Sequence, residues 1–253
     1  MQDTIVLYPA PGMGHVVPMV ELGKLILHHC NHKFSIIILF TTDPNDTPDT
    51  NSYIHRIAQT HPSITFRRFP SVSVDTSPSR SPAAIKFNFI RLNTTNVLHS
   101  LQEISKTTTV RALVIDMFCA SALPIARELK IPTYFFFTSG AAALIFFLYF
   151  PTIHQQTAKS FTVDLTTTHL HFPGLPPLRA TDVPEPLLDR DDPAYDDVLY
   201  YCDHLPKADG IIVNTFDELE PNALKVIADG ACVPDAPTLP VYYIGPVDRR
   251  RLQ

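Results

Sequence analysis

The sequence has no CxxC pair and no cysteine cluster: Cys30, Cys119, Cys202 and Cys232 lie far apart in a chain of 253 residues. That scatter excludes a cysteine zinc site and a disulfide framework, and reduced thiols in a cytosolic protein are expected. Positive charge is not in excess. With 20 Lys and Arg against 25 Asp and Glu, the formal net charge is −5, which leaves no electrostatic footprint for nucleic acid. Glycine is scarce, 8 residues against 24 prolines, so extended surface loops are expected more than tight hairpins. Gly-x-Ser-x-Gly is missing, and with it the nucleophile elbow of a serine hydrolase. No signal peptide is expected, because Pro9, Pro11, Gly12 and Gly14 interrupt the first apolar run. The sequon matches Asn45-Asp46-Thr47 and Asn93-Thr94-Thr95 are therefore read as chance.

One stretch, Ile131 to Phe150, is about as long and apolar as a membrane span. Pro132, Thr133 and the trio Thr138-Ser139-Gly140 divide it into a strand around Tyr134–Phe137 and a helix over Ala141–Phe150, so no membrane insertion is expected. Across the chain, strand-like and helix-like segments alternate, which predicts an α/β fold: a Rossmann-like parallel sheet with helices on both faces. Strands are expected at Thr4–Tyr8, Phe34–Phe40, Ile64–Phe69, Ala112–Ile115, Gly210–Asn214 and Val241–Gly245. Helices are expected at Val16–His29, Tyr53–Gln59, Ala84–Lys106, Ala120–Leu129, Tyr195–Leu205 and Glu220–Ile227. Pro70–Pro82 and most of Thr152–Pro193 read as loop.

The first strand runs into Pro9-Ala10-Pro11-Gly12-Met13-Gly14-His15, a Pro/Gly turn with a histidine where the helix should start. Flanking Gly and Pro place His15 on an exposed loop. Ligands of open α/β sheets sit outside the carboxyl ends of the strands. The fourth strand ends at Asp116 on that same edge. A carboxylate beside an imidazole holds its tautomer, which makes His15 a candidate general base and Asp116 its partner. A helix cap is the other reading of Asp116. Cys119 sits in an apolar setting with no cation beside it and is not expected to be a nucleophile.

Gly12-Met13-Gly14 lacks the third glycine of a dinucleotide fingerprint, Val17 standing there instead, so a nicotinamide-dependent reductase is the remotest reading. Asp43, after the second strand, serves a ribose or a turn equally well. The helix after Gly14 still aims its amide end at the cleft, where a phosphate could settle. Phe118, Phe146, Phe147 and Tyr149 gather near the same edge, as an apolar pocket or as plain core. His28, His29 and His32, and His169 and His171, have no Cys or carboxylate partner at ligand spacing, so no metal is expected.

Pro9 to Met19 resembles the opening of plant UDP-sugar-dependent glycosyltransferases (family 1). Val114-Ile115-Asp116-Met117-Phe118, Phe137-Thr138-Ser139-Gly140, Pro173 to Pro177, Val213 to Glu220 and Tyr243-Ile244-Gly245-Pro246-Val247 are similar to that family too, in the family's order. Val20-Glu21-Leu22-Gly23-Lys24 looks most like the flavonoid and isoflavonoid O-glucosyltransferases. The resemblance implies one half of a two-domain GT-B fold: residues 1–246 as the acceptor-binding domain and 247–253 as the start of an interdomain linker. It implies inverting transfer of a sugar, glucose above all, from a UDP-sugar to a hydroxyl of a phenolic acceptor, with His15 and Asp116 catalytic. Gly14 and Thr138 would meet the donor, and Met13, Phe118 and Phe147 the acceptor. No cofactor beyond the UDP-sugar, no metal, a cytoplasmic location and a monomeric full-length enzyme follow from the same resemblance.

The family's donor signature, which begins Trp-Ala-Pro-Gln, has no counterpart here, and the sequence contains no tryptophan. The donor-binding domain is thus expected to be absent and the chain inactive by itself. The competing reading is a truncated, inert acceptor-binding domain.

Overall fold

Phe135 and Phe137 pack on one face of a sheet, and Phe136 between them packs on the other. Alternation of this kind is the geometry of a strand whose successive side chains point to opposite faces. Each of the three rings is fully buried. A buried phenylalanine contributes about 1.5–3 kcal/mol over an exposed one, so an unbroken apolar run is stable only in a strand covered on both sides.

The computed structural model describes residues 3–41, 48–77, 80–162, 165–234, 237 and 239–245. Its elements are β1 (Asp3–Tyr8), α1 (Met13–His29), β2 (Phe34–Phe40), α2 (Pro48–Thr60), β3 (Ile64–Arg68), α3 (Pro82–Leu92), α4 (Thr94–Ser105) and β4 (Thr109–Asp116). A 3₁₀ turn over Met117–Ala122 then leads into α5 (Leu123–Glu128), β5 (Thr133–Phe137) and α6 (Ala141–Gln156). After these come a small antiparallel pair, β6 (His169–Leu170) with β7 (Leu178–Arg179), then α7 (Pro193–His204), β8 (Gly210–Val213), α8 (Pro221–Ala228) and β9 (Val241–Tyr243).

Seven strands form one parallel sheet in the order β3-β2-β1-β4-β5-β8-β9. Residues of α1 and α2 cover one face, and residues of α3 to α8 cover the other. The expected Rossmann-like layering is therefore the observed one. Strand order reverses between β1 and β4, and in such sheets a crevice opens at that point, outside the carboxyl ends of the two strands.

Several boundaries differ from expectation. Helix α1 starts at Met13, not Val16, because Gly12 (φ 104°) makes the turn in a conformation other residues rarely adopt. His15 therefore belongs to the first helical turn and not to an exposed loop. The single helix expected over Ala84–Lys106 is two, broken at Asn93. Asn93 is fully buried; its Nδ2 donates to the Phe89 carbonyl and its Oδ1 accepts from Asn96 Nδ2. A short amide side chain of this sort competes with the backbone and favours a helix boundary.

Helix α2 begins before Tyr53, its exposed Asn51 and Ser52 completing a helix whose Tyr53, Ile54 and Ile57 are buried. The helix expected from Ala120 is preceded by the 3₁₀ turn, and α6 runs on past Phe150 to Gln156 despite Pro151. Among the described residues, no helix is long and apolar enough to cross a membrane. Asp43, Asn45 to Thr47 and residues from Pro246 onward lie outside the described residues.

Candidate active site

The crevice between β1 and β4 holds the His15–Asp116 pair, with Nδ1 of the imidazole 2.9 Å from Oδ2 of the carboxylate. Asp116 is fully buried, and the His15 side chain is 17% exposed. A carboxylate buried so completely needs partners, and Asp116 has one for each oxygen. Oδ1 accepts the backbone N–H of Phe118 at 3.0 Å, which caps the 3₁₀ turn, while Oδ2 meets His15. Both readings of Asp116 are thus realised at once, cap and imidazole partner. An ionised carboxylate only accepts, so Nδ1 of the neutral imidazole carries the proton and Nε2 is left as the basic nitrogen.

Phe118 sets its ring edge-to-face against His15 at 5.3 Å between centroids. Its other neighbours are Phe87 at 5.6 Å and Tyr201 at 5.6 Å, and the Lys86 ammonium stands 5.6 Å from the ring. Phe147 joins through Tyr201, 5.3 Å away, and also touches Phe137 and Phe146. Phe118 and Phe147 are thereby brought into one aromatic group. Met13 is not part of it: it packs with Val17 and Ile244 against the opposite hydrophobic cluster.

Gly14 is exposed in the first turn of α1, with open space where a Cβ would stand. No side chain caps that helix end.

Thr138 follows β5, hydrogen-bonded neighbour of β4, so it lies on the same sheet edge as Asp116. The turn it opens is held from the far side of the sequence. Asn214 Nδ2 donates to the Thr138 carbonyl at 3.2 Å. The Glu220 carboxylate accepts the Ala141 N–H at 2.7 Å, the Ala142 N–H at 2.9 Å and the Thr215 hydroxyl. The amino end of α6 is therefore already occupied by an anion, in contrast with that of α1. Partial burial alone would raise the Glu220 carboxyl, but the hydrogen bonds from Thr215, Ala142 and Ala141 outweigh it and hold its pKa below the ordinary glutamate value.

Behind the pair, Cys119 is fully buried, and burial followed by the Asp116 charge pushes its thiol well above the usual range. A thiol so placed is not a nucleophile at neutral pH. Tyr8 is raised in the same way, by burial first and then by Cys119 and Asp116. Among the described residues, no group of three or more His, Cys, Asp and Glu side chains is placed to hold a metal ion.

Tyr201, Glu220 and Asn214 were given no site role from sequence. Tyr201 was legible only as one apolar position of α7, in step with Val198 and Cys202. Asn214 and Glu220 stand in a motif already set apart by resemblance, but nothing local says what they hold.

No protein-family model matches the chain. The curated relatives do. The chain is 59% identical over 251 residues to "UDP-glycosyltransferase 88F3" of Pyrus communis, covering 98% of this chain and 52% of the relative. It is 56% identical over 253 residues to "Phloretin 2'-O-glucosyltransferase" of Pyrus communis, again 98% and 52%. The chain is a homologue of the plant UDP-glycosyltransferases. It spans about half the length of the curated relatives it matches.

The fold agrees. The Phytolacca americana UGT2 structure, complexed with UDP-2fluoro-glucose and pterostilbene, superposes with a TM-score of 0.84 at 28% identity, over 98% of this chain and 55% of that one. In this UDP-glycosyltransferase homologue the His15–Asp116 pair thus lies at the strand-order reversal of a glycosyltransferase half-fold.

Proposed function

We propose that this chain supplies the acceptor site and the catalytic base of a UDP-sugar-dependent transferase that glycosylates a phenolic hydroxyl. The observation that carries the proposal is the 2.9 Å His15–Asp116 pair at the strand-order reversal. His15 Nε2 takes the proton of the acceptor hydroxyl, and Asp116 stabilises the imidazolium that forms. The acceptor oxygen attacks the anomeric carbon from the face opposite UDP. The carbon–oxygen bond to UDP breaks, UDP leaves with the electron pair, and the anomeric configuration inverts. A phenol ionises more readily than an alcohol, so one oriented imidazole suffices as base and the step needs no metal.

Phe118 and Phe147 line the acceptor side, and Gly14 and Thr138 meet the donor. Relatives named for phloretin and for anthocyanidin glucosylation support a flavonoid-type acceptor and glucose as the sugar. Four free cysteines support a reducing cytoplasmic setting. The test uses a protein in which this chain is joined to a donor-binding half of the family, assayed for glucosylation of phloretin from UDP-glucose. His15→Ala is expected to lower kcat about 10²–10⁴-fold, and Asp116→Asn to lower it substantially. Transfer at the parental rate in His15→Ala overturns the assignment.

A further inference from the structure

We propose that Ser81 is a phosphorylation site for a proline-directed protein kinase, and that a phosphate there parts α3 from α7. The proposal holds whether or not His15 acts as a base. Ser81, partly exposed, ends the Ser/Pro-rich loop and begins α3, with an exposed Arg80 before it and an exposed Pro82 after it. Residues 71–77 form neither helix nor strand and are exposed or partly so. The Ser81 backbone is extended, φ −64° and ψ 149°, the region to which a following proline confines a residue. A kinase cleft takes its substrate extended, and a proline after the serine brings no N–H for the cleft to satisfy. Sequence, accessibility and backbone conformation thus meet what that class of enzyme requires.

The Ser81 hydroxyl has two partners. Its oxygen accepts the Ala84 N–H at 3.1 Å, which caps α3, and it donates its proton to Asp192 Oδ1 at 2.9 Å. The same Oδ1 accepts the Ala194 N–H at 2.8 Å and caps α7. One hydrogen bond thereby joins the caps of two helices across 111 residues of chain. Farther along, the helices meet again through the Arg91–Asp197 ion pair and the stacked rings of Phe87 and Tyr201, 6.4 Å between centroids. In the transfer, Ser81 Oγ bonds to the γ-phosphorus of ATP as the bond from that phosphorus to ADP breaks. ADP leaves with the electron pair, and the hydroxyl proton passes to the kinase. The phosphorylated side chain has lost the proton it gave Asp192 and holds a charge of about −1.5 to −2 beside that carboxylate. The amino end of α3 offers only about half a positive charge, against the whole negative charge of Asp192. Repulsion wins, and the joined caps separate.

The experiment incubates the purified protein with MgATP and a mitogen-activated protein kinase, and locates phosphate by peptide mass spectrometry. Phosphate is expected at Ser81. No phosphate, or phosphate only at Ser77, the other serine followed by proline in this loop, overturns the proposal. Hydrogen exchange then reads the helices. In the phosphorylated protein the first turns of α3 and α7 should exchange about tenfold faster, with α1 unchanged. In Asp192→Asn, which keeps a capping oxygen on α7 without the charge, phosphorylation should change neither rate. Unchanged exchange in the phosphorylated parent overturns the proposal, as does an acceleration that persists in Asp192→Asn. An isosteric pair repeats the test without a kinase, and decides it should Asp192→Asn fail to fold. Ser81→Asp and Ser81→Asn both cap a helix, and only the first adds a charge. Ser81→Asp is expected to raise the equilibrium constant for urea unfolding about tenfold over Ser81→Asn, the worth of one hydrogen bond to a charged group. Equal constants overturn the repulsion on which the proposal stands.

Discussion

A Cβ on Gly140 would sit 2.5 Å from Oε2 of Glu220, so the glycine makes room for the carboxylate that caps α6. Gly140 has an ordinary backbone conformation, φ −79° and ψ 175°, that any residue adopts. Its requirement is steric and comes from a residue brought in across the fold.

Gly140→Ala is therefore expected to destabilise the protein by about 1–2 kcal/mol, the range of a lost helix cap together with its favourable charge at the amino end. In a Glu220→Ala background the same change should be neutral or stabilise by about 0.4–1 kcal/mol, since only the entropy of the unfolded chain then matters. Urea unfolding of the two single variants and the double variant measures this coupling. Additive effects would show that the glycine and the carboxylate do not interact.

Glu220 also sets a pH dependence. Its folded pKa lies below the ordinary glutamate value, so its contribution is complete above about pH 4.3, the unfolded value, and is lost as pH falls through the folded one. Unfolding midpoints followed from pH 7 to pH 3 should fall more steeply for the parent protein than for Glu220→Gln, with the difference confined to the acid end. Parallel curves would remove Glu220 as the source.

The cysteines are expected to differ in reactivity. Cys119, Cys202 and Cys232 are buried, and burial raises all three thiols, Cys232 to about 11. Cys30 is only partly buried. Iodoacetamide at pH 8 should modify native protein at Cys30 and reach the other three only in denaturant, as read by peptide mass spectrometry. Rapid native labelling of Cys119 would mean that the β4 end is open to solvent.

Much of the fold was legible beforehand for a simple reason. Apolar β-branched runs such as Ile36 to Leu39 and Pro/Gly punctuation such as Pro9 to Gly14 act over a few residues. Their meaning survives without knowledge of the neighbours. The misplaced boundaries, at Asn93 and Met13, are where a side chain or a glycine competed with the local helical pattern. The candidate pair was legible because strand ends in a parallel sheet share an edge, so His15 and Asp116 could be placed together without coordinates.

By itself, the sequence determined the alternation of strands and helices, the parallel class of the sheet and the edge that His15 and Asp116 share. Only the tertiary structure decided that Asp116 gives one oxygen to a backbone amide and the other to His15, 101 residues away. It alone decided that Tyr201 joins Phe118 to Phe147 and that Glu220 closes the amino end of α6 from 79 residues beyond. The physical reason is range. Propensity and periodicity act along a few residues of chain, whereas hydrogen-bond satisfaction of buried polar groups and aromatic packing are settled by whichever segments the completed sheet brings within a few ångströms.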